Sequence, residues 1–129
     1  MQVDRIDHVV LTVQNIQATC DFYSRVLGMQ VVRFGHGRIA LTFGGQKINL
    51  HETGKEFEPK ALRPTPGSGD LCFVTKVPLV QLIDHMKALG VPIVTGPVKR
   101  EGAFGLMDSV YVRDPDGNLI ELSNYLDGS

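Results

Sequence analysis

The run Ile6-Asp7-His8-Val9-Val10-Leu11-Thr12-Val13 is short, β-branched and followed by Gln14-Asn15, which predicts a strand. Ile16, Cys20, Tyr23 and Leu27 then recur on one helical face, with Asn15 placed as an N-cap and Gly28 as the stop. Three short strands are predicted next, over Gln30 to Phe34, Arg38 to Phe43 and Gln46 to Glu52. The hairpin signals Gly35-His36-Gly37 and Gly44-Gly45 separate them. Residues 53–69 lose all periodicity and carry Pro59, Pro64 and Pro66, so they read as a mobile linker. Beyond it the order recurs. A strand is predicted at Leu71 to Thr75, and a helical stripe of Leu79, Leu82, Ile83, Met86 and Leu89 ends at Gly90. Strands follow at Pro92 to Thr95, Ser109 to Arg113 and Leu119 to Asn124, with Asp114-Pro115-Asp116-Gly117 as the last turn.

The second half is a copy of the first. Leu27-Gly28 and Val31-Val32 match Leu89-Gly90 and Ile93-Val94 at an offset of 62. Gly45-Gln46-Lys47-Ile48-Asn49-Leu50 matches Gly117-Asn118-Leu119-Ile120-Glu121-Leu122 at an offset of 72. The extra residues fall around Val98 to Met107, where Lys99-Arg100-Glu101 reads as a charged, solvated loop. The pattern predicts an α+β fold, a βαβββ unit written twice in one domain over residues 1–129. Module one covers 1–52, the linker 53–69 and module two 70–125.

Side chains on a strand alternate between faces. Val9, Leu11 and Val13 cover the first helix, which leaves His8 on the other face; Leu71 and Phe73 leave Asp70 in the same way. Ile48 and Leu50 likewise set off Asn49, and Ile120 and Leu122 set off Glu121. The repeat therefore gives His8, Asn49, Asp70 and Glu121 equivalent places on the face away from the helices. Singly, each has an ordinary structural role: a hydrogen-bonded strand histidine, an Asx-type turn, a solvent-facing carboxylate. Together, an imidazole and two carboxylates make a ligand set for a divalent metal of the Mn, Fe, Ni or Zn kind. His36 reads as a turn residue and His85 as solvent-facing.

Composition narrows the partners. The chain has 43% hydrophobic residues, enough for a core, and 13 basic residues against 14 acidic ones. That balance excludes the phosphate footprint of a nucleic-acid binder. No apolar run is long enough for a membrane span, and Met1 leads straight into the first strand, so a cytoplasmic protein is expected. Cys20 and Cys72 lack zinc-type spacing and read as reduced core thiols.

Three segments carry a resemblance: Asp7-His8-Val9-Val10-Leu11-Thr12-Val13, Phe22-Tyr23-Ser24-Arg25-Val26-Leu27-Gly28-Met29, and Asp114-Pro115-Asp116-Gly117-Asn118-Leu119-Ile120-Glu121-Leu122. They are similar to the vicinal oxygen chelate superfamily, which includes glyoxalase I, fosfomycin-resistance proteins, methylmalonyl-CoA epimerase, extradiol dioxygenases and bleomycin-resistance proteins. The likeness spans nearly the whole chain. It is greatest to bacterial glyoxalase-domain proteins labelled virulence proteins or lactoylglutathione lyase-like. It implies two modules curling into an open, curved, eight-stranded barrel-like sheet around a metal. The implied ligands are His8, Asp70 and Glu121, with a fourth position at Asn49 or, two residues on, His51. Two positions depart from the metal-dependent pattern: Asp70 stands where His is usual, and Asn49 stands where glyoxalase I has Glu.

The activity implied is that of a glyoxalase-like lyase or isomerase. A divalent ion would hold two vicinal oxygens of a small molecule and stabilise an enediolate, with Glu121 as base and His51 as the second candidate. An Fe(II) extradiol dioxygenase, using His8, His51 and Glu121, and a fosfomycin-type transferase are alternatives on the same scaffold. A metal-free binding module of the bleomycin-resistance kind is the non-enzymatic alternative. Exposed strand edges and the habit of such relatives imply a homodimer.

Overall fold

A computed structural model describes all 129 residues as two compact units, Met1–Gly67 and Ser68–Ser129. In the first unit, β1 (His8–Val13) leads to α1 (Ile16–Arg25), β2 (Gln30–Phe34), β3 (Arg38–Phe43) and β4 (Gln46–Glu52). The second holds β5 (Asp70–Val74), α2 (Leu79–Ala88), β6 (Thr95–Glu101), β7 (Leu106–Arg113) and β8 (Leu119–Tyr125). The eight strands form two separate mixed sheets of four, ordered β1-β4-β3-β2 and β5-β8-β7-β6. No helix is long and apolar enough to cross a membrane.

The ladders reproduce the duplication residue by residue. In the parallel pair β1–β4, His8 faces Lys47 and Val10 faces Asn49. In β5–β8, Asp70 faces Leu119 and Cys72 faces Glu121, the same register carried forward by the two offsets. Each sheet buries one face under its helix. Leu11, Val13, Tyr23, Leu41, Ile48 and Leu50 form the first core, and Met86, Val110, Val112, Ile120 and Leu122 the second. Asn15 caps α1, its Oδ1 accepting from Ala18 N at 2.9 Å, and Gly28 ends the helix at φ +71°. Gly90 ends α2 at the same φ.

Three expectations change. β6 lies at Thr95–Glu101, so Lys99, Arg100 and Glu101 form part of a strand, and the extra residues lengthen a β6–β7 hairpin. The ladder shifts between Thr95 and Val98, where Gly96 and Pro97 intervene. Residues 53–69 hold no helix or strand, yet they do not simply trail as a linker: the Glu56 carboxylate accepts from Gly54 N at 3.0 Å, and Phe57 seats on His51. The cysteines are free thiols but not core residues; Cys20 is half-buried and Cys72 exposed.

Candidate functional site

In the first unit, β1 presents His8 on the sheet face opposite α1, while Leu11 and Val13 point into the core. His8 Nδ1 lies 2.7 Å from Asp7 Oδ2, which orients the ring and leaves Nε2 as its other nitrogen. The same contact holds the Asp7 carboxyl below the usual carboxylate range. Asn49 shares that face and is 5% exposed, and its Oδ1 has no hydrogen-bond partner. The reason is its ladder neighbour: Ala40 lies opposite and brings no donor. His51, 3% exposed, is enclosed by the Phe57 ring and by Arg38, whose Nη2 lies 3.5 Å from Nε2. Burial, with the Arg38 charge adding and Glu56 opposing, pushes the His51 pKa down and keeps the imidazole neutral.

In the second unit, Asp70 and Glu121 both line a cavity of about 400 Å³ with Arg100, Tyr111 and Arg113. Tyr111 sits opposite Glu121 in the β7–β8 ladder, and Arg100 Nε donates to the Tyr111 hydroxyl at 3.0 Å. Burial, together with the Glu121 charge and against the Arg100 bond, pushes the phenol pKa up, so it stays a donor. Glu121 Oε2 also accepts from Ser123 Oγ at 3.3 Å, and Ser123 contacts Ser109 Oγ at 2.6 Å. Burial pushes up the Cys72 thiol, opposed by its Ser123 contact; the charges of Glu121 and Asp70 add to it, as expected for two carboxylates flanking it on one face.

The predicted residues thus fall as two pairs. His8 and Asn49 share one face of the first sheet, and Asp70 and Glu121 the corresponding face of the second. Neither unit alone gathers three His, Cys, Asp or Glu side chains into a metal site. The donors nonetheless fit a divalent cation chemically. Asn49 Oδ1 is a buried acceptor with no donor, and His8 has a carboxylate on the nitrogen remote from Nε2. Tyr111 and Arg100 escaped the sequence reading. Alternation in β7, with Val110 and Val112 inward, carried the signal for Tyr111, whereas Arg100 sat in what read as a loop.

Residues 5–122 match the model of the Glyoxalase/Bleomycin resistance protein/Dioxygenase superfamily. The chain is 56% identical over 126 residues to virulence protein STM3117 of Salmonella typhimurium, covering 98% of this chain and 88% of that protein. The crystal structure of that protein superposes with a TM-score of 0.96 over 98% of this chain and 100% of the other. Glyoxalase domain-containing protein RDO1 of Mycosarcoma maydis is 58% identical over 127 residues, 98% of this chain and 72% of its own. The lactoylglutathione lyase of Pseudomonas aeruginosa is 30% identical over 147 residues, 90% of this chain and 80% of its own.

Proposed function

Because the chain belongs to the Glyoxalase/Bleomycin resistance protein/Dioxygenase superfamily, we propose that it is a metal-dependent, glyoxalase-like lyase or isomerase for a small molecule with two vicinal oxygens. The ligands that the family resemblance implies for a divalent ion of the Mn, Fe, Ni or Zn kind are His8, Asp70 and Glu121, with Asn49 as the fourth donor. The observation that carries this is Asn49 Oδ1, a buried acceptor without a partner at the repeat position equivalent to Glu121. An unsatisfied buried oxygen costs about 1–3 kcal/mol, so it calls for a role. Such an ion, when bound, would supply Lewis acidity toward the substrate oxygens.

The chain's own groups do the rest. Glu121 takes the proton from the carbon beside the substrate oxygens and returns it to the neighbouring carbon. Tyr111, protonated and held by Arg100, stands opposite Glu121 in the ladder, beside its carboxylate. Asp7 fixes the His8 ring. His51, neutral and buried, is the alternative base. The free thiols accord with a reducing compartment such as the cytoplasm.

Metal analysis of protein purified without chelator and resupplied with each ion tests the reading. Wild type is expected to hold a stoichiometric ion, and His8→Ala with Glu121→Gln to weaken it by at least about tenfold. Glu121→Gln is also expected to abolish solvent-deuterium incorporation into an α-hydroxycarbonyl substrate while leaving the fold intact. Equal metal affinity in wild type and the double variant overturns the assignment.

A further inference from the structure

The first-unit face that carries His8 and Asn49 also carries two cations without counter-ions. Arg38 on β3 and Lys47 on β4 converge on the ring of Phe34 from β2. The guanidinium carbon is 5.4 Å from the ring centroid and the Lys47 Nζ 4.1 Å. Phe57 places a second ring 4.9 Å from the same guanidinium, and it is braced edge-on by His51 at 5.7 Å. No Asp or Glu carboxylate comes within 4.0 Å of either cation. Asp7, whose ionisation Lys47 favours, is already bonded to His8.

Long cationic side chains are normally left in water, because fixing one costs up to about 2 kcal/mol of rotamer freedom. Here aromatic rings do the fixing, each contact being worth about 0.5–1 kcal/mol at a partly exposed site. The result is a pair of donors held in place with their charge unspent. A guanidinium held over aromatic rings still offers N–H donors, and its planar fork suits a carboxylate or phosphate bidentately. Lys47 adds a point charge. Along the ladders Lys47 lies beside His8, and Arg38 approaches His51, so the two cations flank Asn49.

We propose that Arg38 and Lys47 form a recognition site for the oxyanion group, carboxylate or phosphate, of a small anionic molecule. This rests on the functional reading only in making that molecule the substrate; the anion site needs no metal. It gives the substrate a terminal anionic group in addition to its vicinal oxygens.

The test uses the full-length, chelator-treated protein, titrated separately with inorganic phosphate and with acetate while backbone amide NMR shifts are followed. At least one anion is expected to give saturable shifts centred on β3 and β4, and the tighter of the two identifies the group. Arg38→Gln and Lys47→Gln are each expected to weaken it by about tenfold or more, Lys47→Arg to restore it, and Arg63→Gln, in the exposed segment, to leave it unchanged. Should Arg38→Gln not fold, Lys47→Gln and its rescue carry the result. No saturable shift with either anion, or equal affinity in Lys47→Gln and wild type, overturns the proposal. The His8→Ala, Glu121→Gln double variant separates the two claims: loss of metal with anion binding intact supports both. No metal dependence with anion binding intact removes only the functional reading.

Discussion

Asn49 shows how a copied position diverges. Its counterpart Glu121 faces Tyr111 across the β7–β8 ladder and accepts from Ser123 Oγ, while Asn49 faces Ala40 and its Oδ1 stays unbonded. A buried acceptor left without a donor costs stability until something completes it. Asn49→Leu, with the same branched skeleton and without the orphan oxygen, is therefore expected to raise the stability of the metal-free protein by about 1 kcal/mol in urea denaturation. Under the proposed function the same variant should hold a divalent ion more weakly, though by less than Glu121→Gln does. A variant less stable than wild type contradicts the account of Asn49 as an unsatisfied ligand.

The two helices start by different devices. Asn15 caps α1 from the preceding residue, whereas Pro78 gives α2 no side-chain cap. Asn124 of β8 does so instead: its Oδ1 accepts from Leu79 N at 2.9 Å, and its Nδ2 donates to Thr75 and Val77 carbonyls. Asn15→Ala is expected to cost about 1 kcal/mol and Asn124→Ala about 2 kcal/mol, since the latter also unties the loop after β5. Equal losses in chemical denaturation would remove the distinction. β6 carries its own constraint. At Gly96, φ is +118°, and a Cβ there would lie 2.6 Å from Ser109 O and 2.9 Å from Val110 Cα, both backbone atoms that cannot yield cheaply. Gly96→Ala should cost at least about 2 kcal/mol, read as a shifted urea midpoint.

At the scale of the molecule, each four-stranded sheet ends in unpaired edges, β1 and β2 in one and β5 and β6 in the other. Val10, Val31 and Val74 on those edges are 44%, 42% and 50% exposed, and unprotected edges favour association. A symmetric homodimer is the expected state, and sedimentation at micromolar concentration checks it; a monomer there refutes it.

By itself the sequence determined the repeat, both helices with their glycine stops, the first four strands and the face carried by each of His8, Asn49, Asp70 and Glu121. All of these follow from local periodicity, and the pleat then allots each strand residue its side. Tertiary structure decided what periodicity cannot encode. β6 is an edge strand exposed on both faces, so Lys99-Arg100-Glu101 carries no apolar alternation to reveal it. The aperiodic segment after β4 was legible as irregular, but not that Phe57 would fold back onto Arg38 and His51. Nor could spacing show Tyr111 and Arg100 joining Glu121, because that contact depends on the β7–β8 register and on a side chain reaching diagonally from β6. Local chemistry chose the elements; the pairing of distant strands chose which side chains meet.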